Sequence, residues 1–273
     1  MRIEITDPAD PQIEVFQGLR DHVLRQRREI PGGDMDGVFV AEGDVVVERA
    51  LRAGYRLQAV LIDGKRTKPL PEVIDDAVPV YAAGPLVLQR ITGYHLHRGM
   101  LACFHRRPLP PLAEVLAGVT TAVAIEGVNN PTNIGVILRC AVALGVEAVL
   151  LDPTCSDPLY RRSGRVSMGE AYALPYARLA RFPTGLAPLQ AAGFRLAALT
   201  PAPDAVDIGD LRIGVDEPVV LVLGSEGPGL TEATMAAADL RLRIPMSGSV
   251  DSINVGSAAA VAFYALRLAR AGR

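Results

Sequence analysis

The chain has 273 residues, 49% of them hydrophobic, with 28 Lys plus Arg against 30 Asp plus Glu and a formal charge of −2. This hydrophobic content excludes a disordered chain. The near-balanced charge argues against a protein that coats nucleic acid non-specifically, although clustered basic residues still allow an RNA partner.

No apolar run reaches the roughly 18–20 residues that span a bilayer, and the first residues, MRIEITDPAD, lack the basic-then-apolar layout of a signal peptide. Cys103, Cys140 and Cys155 are far apart and show neither a CxxC pair nor metal-ligand spacing. A reduced, cytoplasmic protein with no metal and no membrane partner is therefore expected.

In chain order, Pro11–Arg27 has helical spacing at Ile13, Phe16, Leu19, Val23 and Leu24. A strand is expected at 37–43, a helix at 44–54 closed by Gly54, and a strand at 57–63. A weaker helix at 70–77, a strand around Val78–Tyr81, a helix near 84–91 and a strand at Gly99–Phe104 complete a small α/β domain over 1–107. Two basic clusters lie in it: Arg20, Arg25, Arg27 and Arg28, then His95, His97, Arg98, His105, Arg106 and Arg107. RPLPPLA (107–113) cannot continue regular structure, so 108–118 reads as a linker.

A second domain over 119–273 follows. Strands are expected at 121–126, 147–151, 195–200, 218–223 and 240–244, and helices near 133–144, 157–163, 184–192, 230–237 and 253–269. Strands such as VVLVLG are apolar on both faces, which marks the interior of a parallel sheet covered by helices on each side. In such sheets ligands bind beyond the carboxyl ends of the strands.

Three loops lie there, and each carries chemistry. In NNPTNIG, Asn129, Asn130 and Asn133 offer amide groups, and Asn133 can cap the helix that follows. Arg139 sits in the apolar pattern of that helix, where a buried guanidinium needs an anionic partner or a ligand. It is either a functional arginine or half of a structural ion pair, with Glu226 the candidate partner. In GSEGPGL, Gly224, Gly227 and Gly229 let the backbone approach a ligand closely, and Glu226 is either a ligand contact or a brace for the loop. In PMSGSVDSIN, Ser247, Ser249, Ser252 and Asn254 surround the start of the last helix, with Ser252 its expected cap. The chain has no GxGxxG after its first strand, and its only lysines are Lys65 and Lys68. This disfavours a nucleotide-binding oxidoreductase and P-loop chemistry.

Taken together, the segments NPTNIGVILR (130–139), VLGSEGPGL (222–230) and IPMSGSVDSINVGSAAAVAFY (244–264) resemble the three motifs of the SpoU/TrmH family of the SPOUT superfamily. That family comprises S-adenosylmethionine-dependent RNA ribose 2′-O-methyltransferases. RVSMGEAYALP (165–175) is similar to a further family segment, with Glu170 a departure where a small residue is more usual. FVAEGDVVVERALRAG (39–54) and HRGMLA (97–102) resemble a ribosomal-protein-like substrate-binding domain. The resemblance implies a doubly wound domain with a deep trefoil knot, a homodimer, and a structured rRNA or tRNA as substrate. It also implies that Thr200, Leu223, Gly224, Ile244, Met246 and Ile253 hold S-adenosylmethionine, and that Asn133, Arg139, Glu226, Ser252 and Asn254 are the catalytic positions. Arg98, Arg106, Arg107 and Arg165 are the candidate RNA contacts. The alternative is a catalytically silent RNA-binding protein that keeps the fold; a missing motif-one arginine would favour it, and Arg139 is present.

Overall fold

The computed structural model describes residues 2–20, 24, 28, 32–96, 99–247 and 252–272. It divides into two compact units, Met1–Pro108 with Leu159–Ala173, and Leu109–Pro158 with Leu174–Arg273.

The first unit is a five-stranded sheet of β1 (Arg2–Ile5), β2 (Val38–Glu42), β3 (Leu57–Asp63), β4 (Val80–Ala83) and β5 (Met100–His105), in the order β1-β4-β3-β5-β2. β4 pairs in parallel with β1 and β3, and β5 pairs antiparallel with β2 and β3. Strand alternation sorts the side chains onto two cores. Val40, Leu61, Tyr81, Leu101 and Cys103 face one core, with Leu88 and Ile91 of helix α2 (Pro85–Thr92). Phe39, Ala41, Val60, Ile62, Ala102 and Phe104 face the other, with Val46, Val47 and Ala50 of helix α1 (Asp44–Arg52).

Two expectations are corrected here. The N-terminal helix contracts to a 3-10 turn at Pro11–Phe16, because Gln17 is extended and Gly18 takes φ +60°. Most of 21–31 lies outside the described residues. No helix forms over 70–77. Pro69 and Pro71 cannot supply main-chain donors, and Asp75 instead closes a turn by accepting from the Ala77 amide (2.8 Å). β1, too short and mixed to show a period, had no sequence signal.

The second unit is a seven-stranded, wholly parallel sheet. In chain order it contains α3 (Leu112–Val115), β6 (Thr121–Ile125), α4 (Pro131–Leu144) and β7 (Ala148–Leu151). After α5 (Arg161–Val166), which belongs to the first unit, come β8 (Tyr176–Arg178), α6 (Ala187–Ala191), β9 (Arg195–Leu199), β10 (Val206–Asp207), β11 (Val219–Leu223), α7 (Glu232–Ala237), β12 (Leu240–Arg243) and α8 (Val255–Arg270). The strand order is β10-β12-β9-β11-β6-β7-β8. Ala122, Ala124, Ala148, Leu150, Leu196, Ala198, Val220 and Val222 share one core with Val115, Leu186 and Leu189. The alternate residues Val123, Ile125, Val149, Leu151, Ala197, Leu221 and Leu223 are just as buried. The two long helices, α4 and α8, pack against each other. Burial of both sheet faces explains the unbroken apolar strands. The edge strands β8 and β10 are too short to leave a sequence pattern.

The Leu159–Ala173 segment is part of the first unit's core. Leu159 and Tyr172 are buried there, with the Tyr172 ring centroid 5.2 Å from that of Phe39. Gly169, at φ +84°, sits so close to α1 that an added Cβ would lie 3.0 Å from Cβ of Arg49. Arg49 also pairs with Glu170 at 2.7 Å and donates to the Met168 carbonyl at 2.6 Å. The departure from the family pattern at Glu170 thus has a local partner. The helix expected over 157–163 starts later, at Arg161.

Glu147, before β7, fixes the start of β6 by accepting from the amides of Thr120 (2.7 Å) and Thr121 (2.8 Å) and from the Thr120 hydroxyl (3.0 Å). Burial pushes its carboxyl up, but these hydrogen bonds and nearby Arg270 outweigh that and hold it below the ordinary carboxylate range. A depressed pKa stabilises the fold above the ordinary value and loses that contribution as pH falls through the depressed one. Because Glu147 is exposed, screening limits the expected cost of Glu147→Gln to about 0.5–1 kcal/mol at neutral pH. Urea unfolding should show that gap at pH 7 and its disappearance in acid; a gap that persists in acid would refute the assignment.

Candidate active site

Three adjacent strands, β12, β9 and β11, end at one cavity of about 130 Å³. Leu199–Pro201 follow β9, Leu223–Gly227 and Gly229 follow β11, and Ile244 and Met246 follow β12, with Ser252, Ile253 and the first turn of α8 opposite them. The expected cofactor positions Thr200, Leu223, Gly224, Ile244, Met246 and Ile253 all line this cavity. Met246 and Ile253 each remain 38% exposed, so the cavity offers apolar surface that an occupant could cover. The β9 loop takes the place expected of the β6 loop, which carries NNPTNIG and does not line the cavity.

The β11 loop owes its path to its glycines. A Cβ on Gly224 would lie 2.2 Å from the Gly229 carbonyl carbon and 2.3 Å from the Leu230 nitrogen. The loop therefore crosses back over its own start, and the Gly229 amide donates to the Ser225 carbonyl (3.1 Å). Gly227 and Gly229 complete the turn at φ +82° and +71°, a region that costs other residues about 1 kcal/mol or more.

At the cavity's edge Asn254 joins two other candidate catalytic residues. Its side-chain oxygen caps α8 by accepting from the amides of Gly256 (2.9 Å) and Ser257 (3.4 Å). Its side-chain nitrogen donates to Asn133 Oδ1 (3.2 Å) and to Glu226 Oε1. Asn133, Glu226 and Asn254 therefore form one hydrogen-bonded chain across α4, the β11 loop and α8. Two capping expectations are corrected. Pro131 occupies the first position of α4, so the residue before it, Asn130, is the cap and accepts from the Thr132 amide (2.9 Å). Asn133 is instead buried inside the first turn. Ser252 lines the cavity and Asn254, not Ser252, caps α8.

Arg139 corrects the sequence reading most. It is exposed, outside the cavity, and makes no hydrogen bond or ion pair with any described residue. Six residues beyond Asn133, it points about 120° away around the helix. It shares a stripe with the half-buried Thr132 and Val136 and the exposed Ala143, while Ile134, Ile137, Leu138 and Ala141 are buried. Its apolar sequence neighbours thus belong to a different face. Glu226 is not its partner, being engaged by Asn254.

The described candidate RNA contacts all belong to the first unit. Arg106 donates to the Val38 carbonyl (3.0 Å). Arg107 donates to the Ala53 carbonyl at the end of α1 (2.7 Å), with its guanidinium 4.3 Å from the centre of the Tyr55 ring. Arg165 pairs with Glu42 (2.8 Å). Arg98 lies outside the described residues. Among the described residues no His, Cys, Asp or Glu cluster could hold a metal, and no helix is long and apolar enough to cross a membrane. One buried acid at the site, Glu126, had no motif to flag it; its place directly after a buried strand was the available signal.

A family model for the SpoU rRNA methylases matches residues 120–264. The chain belongs to the SpoU rRNA methylase family. An uncharacterised tRNA/rRNA methyltransferase of Mycobacterium bovis is 42% identical to this SpoU-family chain over 266 residues, 96% of this chain and 90% of that protein. The crystal structure of an AdoMet-bound rRNA methyltransferase from Sinorhizobium meliloti matches with a TM-score of 0.79 at 26% identity, covering 98% of each chain. An RNA 2′-O ribose methyltransferase matches with a TM-score of 0.75 at 27% identity, covering 99% of this chain and 100% of that one. The α/β architecture with a seven-stranded parallel sheet is thus that of a SpoU methyltransferase.

Proposed function

We propose that this RNA methyltransferase uses S-adenosylmethionine to methylate a ribose 2′-hydroxyl of a structured rRNA or tRNA. The observation that carries the reading is the juxtaposition of the β9–β11–β12 cavity with the Asn133–Asn254–Glu226 chain. The cavity fits the cofactor: Gly224, where a Cβ would strike the main chain of Gly229 and Leu230, lets the loop fold back to form one wall, and Leu223, Ile244 and Ile253 supply apolar surface. S-adenosylmethionine supplies an activated methyl group on a good leaving group. What remains for the protein is alignment and the handling of one proton.

Asn254, held at its oxygen by the helix amides, has its nitrogen set by Asn133 and Glu226, so it presents a rigid polar edge beside the cavity. Ser252 adds a hydroxyl to the lining. Arg139 is assigned the bidentate grip of a phosphate next to the target ribose and the stabilisation of the developing alkoxide, roles that suit a planar guanidinium better than proton abstraction. Loop or single-stranded nucleotides suit such a site, because their ribose edges are free to enter. The first unit is assigned to RNA selection, with Arg98, Arg106, Arg107 and Arg165 as its candidates. The trefoil knot belongs to the proposal; supporting it, the β11 loop and the segment after β12 line one cavity. Three free cysteines, two of them buried with thiols pushed up to about 12, fit a reducing cytoplasm.

The same proposal makes the chain a homodimer through the outward faces of α4 and α8. Val142, Val261 (42% exposed) and Tyr264 (54% exposed) leave apolar surface open there, and Arg139 stands on the same side of α4 as Val136 and Ala143. A second copy covering these faces would bring Arg139 to an interface. Sedimentation should show a dimer for the native chain and a monomer for Val261→Asp with Tyr264→Asp; a double variant that stays dimeric contradicts the interface. The reaction itself is tested by transfer of labelled methyl from S-adenosylmethionine to RNA: label is expected on ribose, and RNA that acquires none contradicts the proposal.

A further inference from the structure

We propose that Glu126 is a positioning residue that holds both ends of the β11 loop and so sets the shape of the cofactor cavity. It rests on the S-adenosylmethionine reading of that cavity. Glu126 follows β6 directly and is buried. Its main-chain amide donates to the Leu223 carbonyl (2.8 Å), at the point where β11 passes into the loop. Its carboxylate receives the far end: the Thr231 amide at 3.0 Å, the Thr231 hydroxyl at 3.0 Å and the Thr234 hydroxyl at 2.8 Å. Thr231 is also the cap of α7, accepting from the Thr234 amide (3.2 Å).

Between these two anchors lie Gly224, Ser225, Glu226, Gly227 and Gly229, all of which line the cavity. A buried carboxylate is costly unless its oxygens are satisfied, and here two oxygens take three donors from one short stretch of chain. One residue thereby fixes the distance across the loop opening. Glu126 does not line the cavity itself, so its effect on the cofactor passes through the loop.

The test uses the full chain and isothermal titration with S-adenosylmethionine, alongside kcat at saturating cofactor and amide hydrogen exchange of residues 224–231. Glu126→Gln keeps the size of the side chain but turns one acceptor into a donor facing donors. It should weaken S-adenosylmethionine binding about tenfold, speed exchange across the loop, and leave kcat at saturation within about threefold. Thr231→Val should reproduce the weaker binding, and Thr231→Ser, which keeps the hydroxyl, should restore it. That rescue and the KM-against-kcat split are outcomes a general loss of stability would not produce. Unchanged affinity in both Glu126→Gln and Thr231→Val overturns the role, as does a Thr231→Ser variant as impaired as Thr231→Val. Failure of the native chain to bind S-adenosylmethionine overturns the cofactor reading itself, a result distinct from either.

Discussion

Arg139→Ala is expected to lower methyl transfer by about 10²–10³-fold while leaving S-adenosylmethionine affinity unchanged and the fold intact. The structural half of this follows from position. The side chain is exposed, lies outside the cavity and makes no bond to a described residue, so its removal should shift stability by no more than about 0.5 kcal/mol. We assign this guanidinium, free of described partners and on the same side of α4 as Ala143, a role in the proposed complex with RNA. Arg139→Lys separates charge from geometry. A phosphate clamp needs the planar fork, so lysine should recover only a small part of the activity. Full activity in Arg139→Ala, measured at saturating cofactor, would remove this residue from the mechanism.

Gly224→Ala should unfold the site from the other direction. The obstruction is steric, because the added Cβ would lie 2.2–2.5 Å from main-chain atoms of Gly229 and Leu230. No rotamer change relieves a clash with backbone, so the loop must leave its path. The expected cost is about 3 kcal/mol or more, at the upper end of overpacking effects, with loss of S-adenosylmethionine binding. Gly227→Ala is the control. Nothing lies within 4 Å of its Cβ position, but its φ is +82°, so the expected cost is about 1 kcal/mol with the cavity retained. Thermal unfolding and calorimetric titration of both variants decide the matter; equal behaviour would mean that the loop crossing is not what shapes the cavity.

The contrast between these two predictions marks how far the sequence could be read. The buried parallel strands were legible because burial on both faces leaves continuous apolar runs, as in β11. The three motifs identified the family because their order and spacing are specific, and the glycines of the β11 loop signalled close backbone approach. The edge strands β8 and β10 were not legible, having too few residues to show a period. The 70–77 segment read as a helix because its apolar spacing outweighed prolines that in fact impose turns. Arg139 was misplaced because its chain neighbours Ile137 and Leu138 are apolar; only the helical angle separates it from them. Asn130 and Asn254 show the same limit: several Asn and Ser residues could cap each helix, and only the path of the chain selects one. Glu126 escaped notice because its partners, Thr231 and Thr234, lie about a hundred residues away in the sequence.

The central claim is that the methyl group goes to a ribose oxygen. RNA from cells lacking this protein, incubated with it and methyl-labelled S-adenosylmethionine, can be hydrolysed in alkali and its nucleotides resolved. Alkaline cleavage uses the 2′-hydroxyl as its nucleophile, so a 2′-O-methylated nucleotide keeps its bond to the next one. We expect the label in alkali-resistant dinucleotides. Label in mononucleotides would place the methyl group on a base, and RNA that acquires no label would leave the chain without the proposed activity; either result contradicts the assignment.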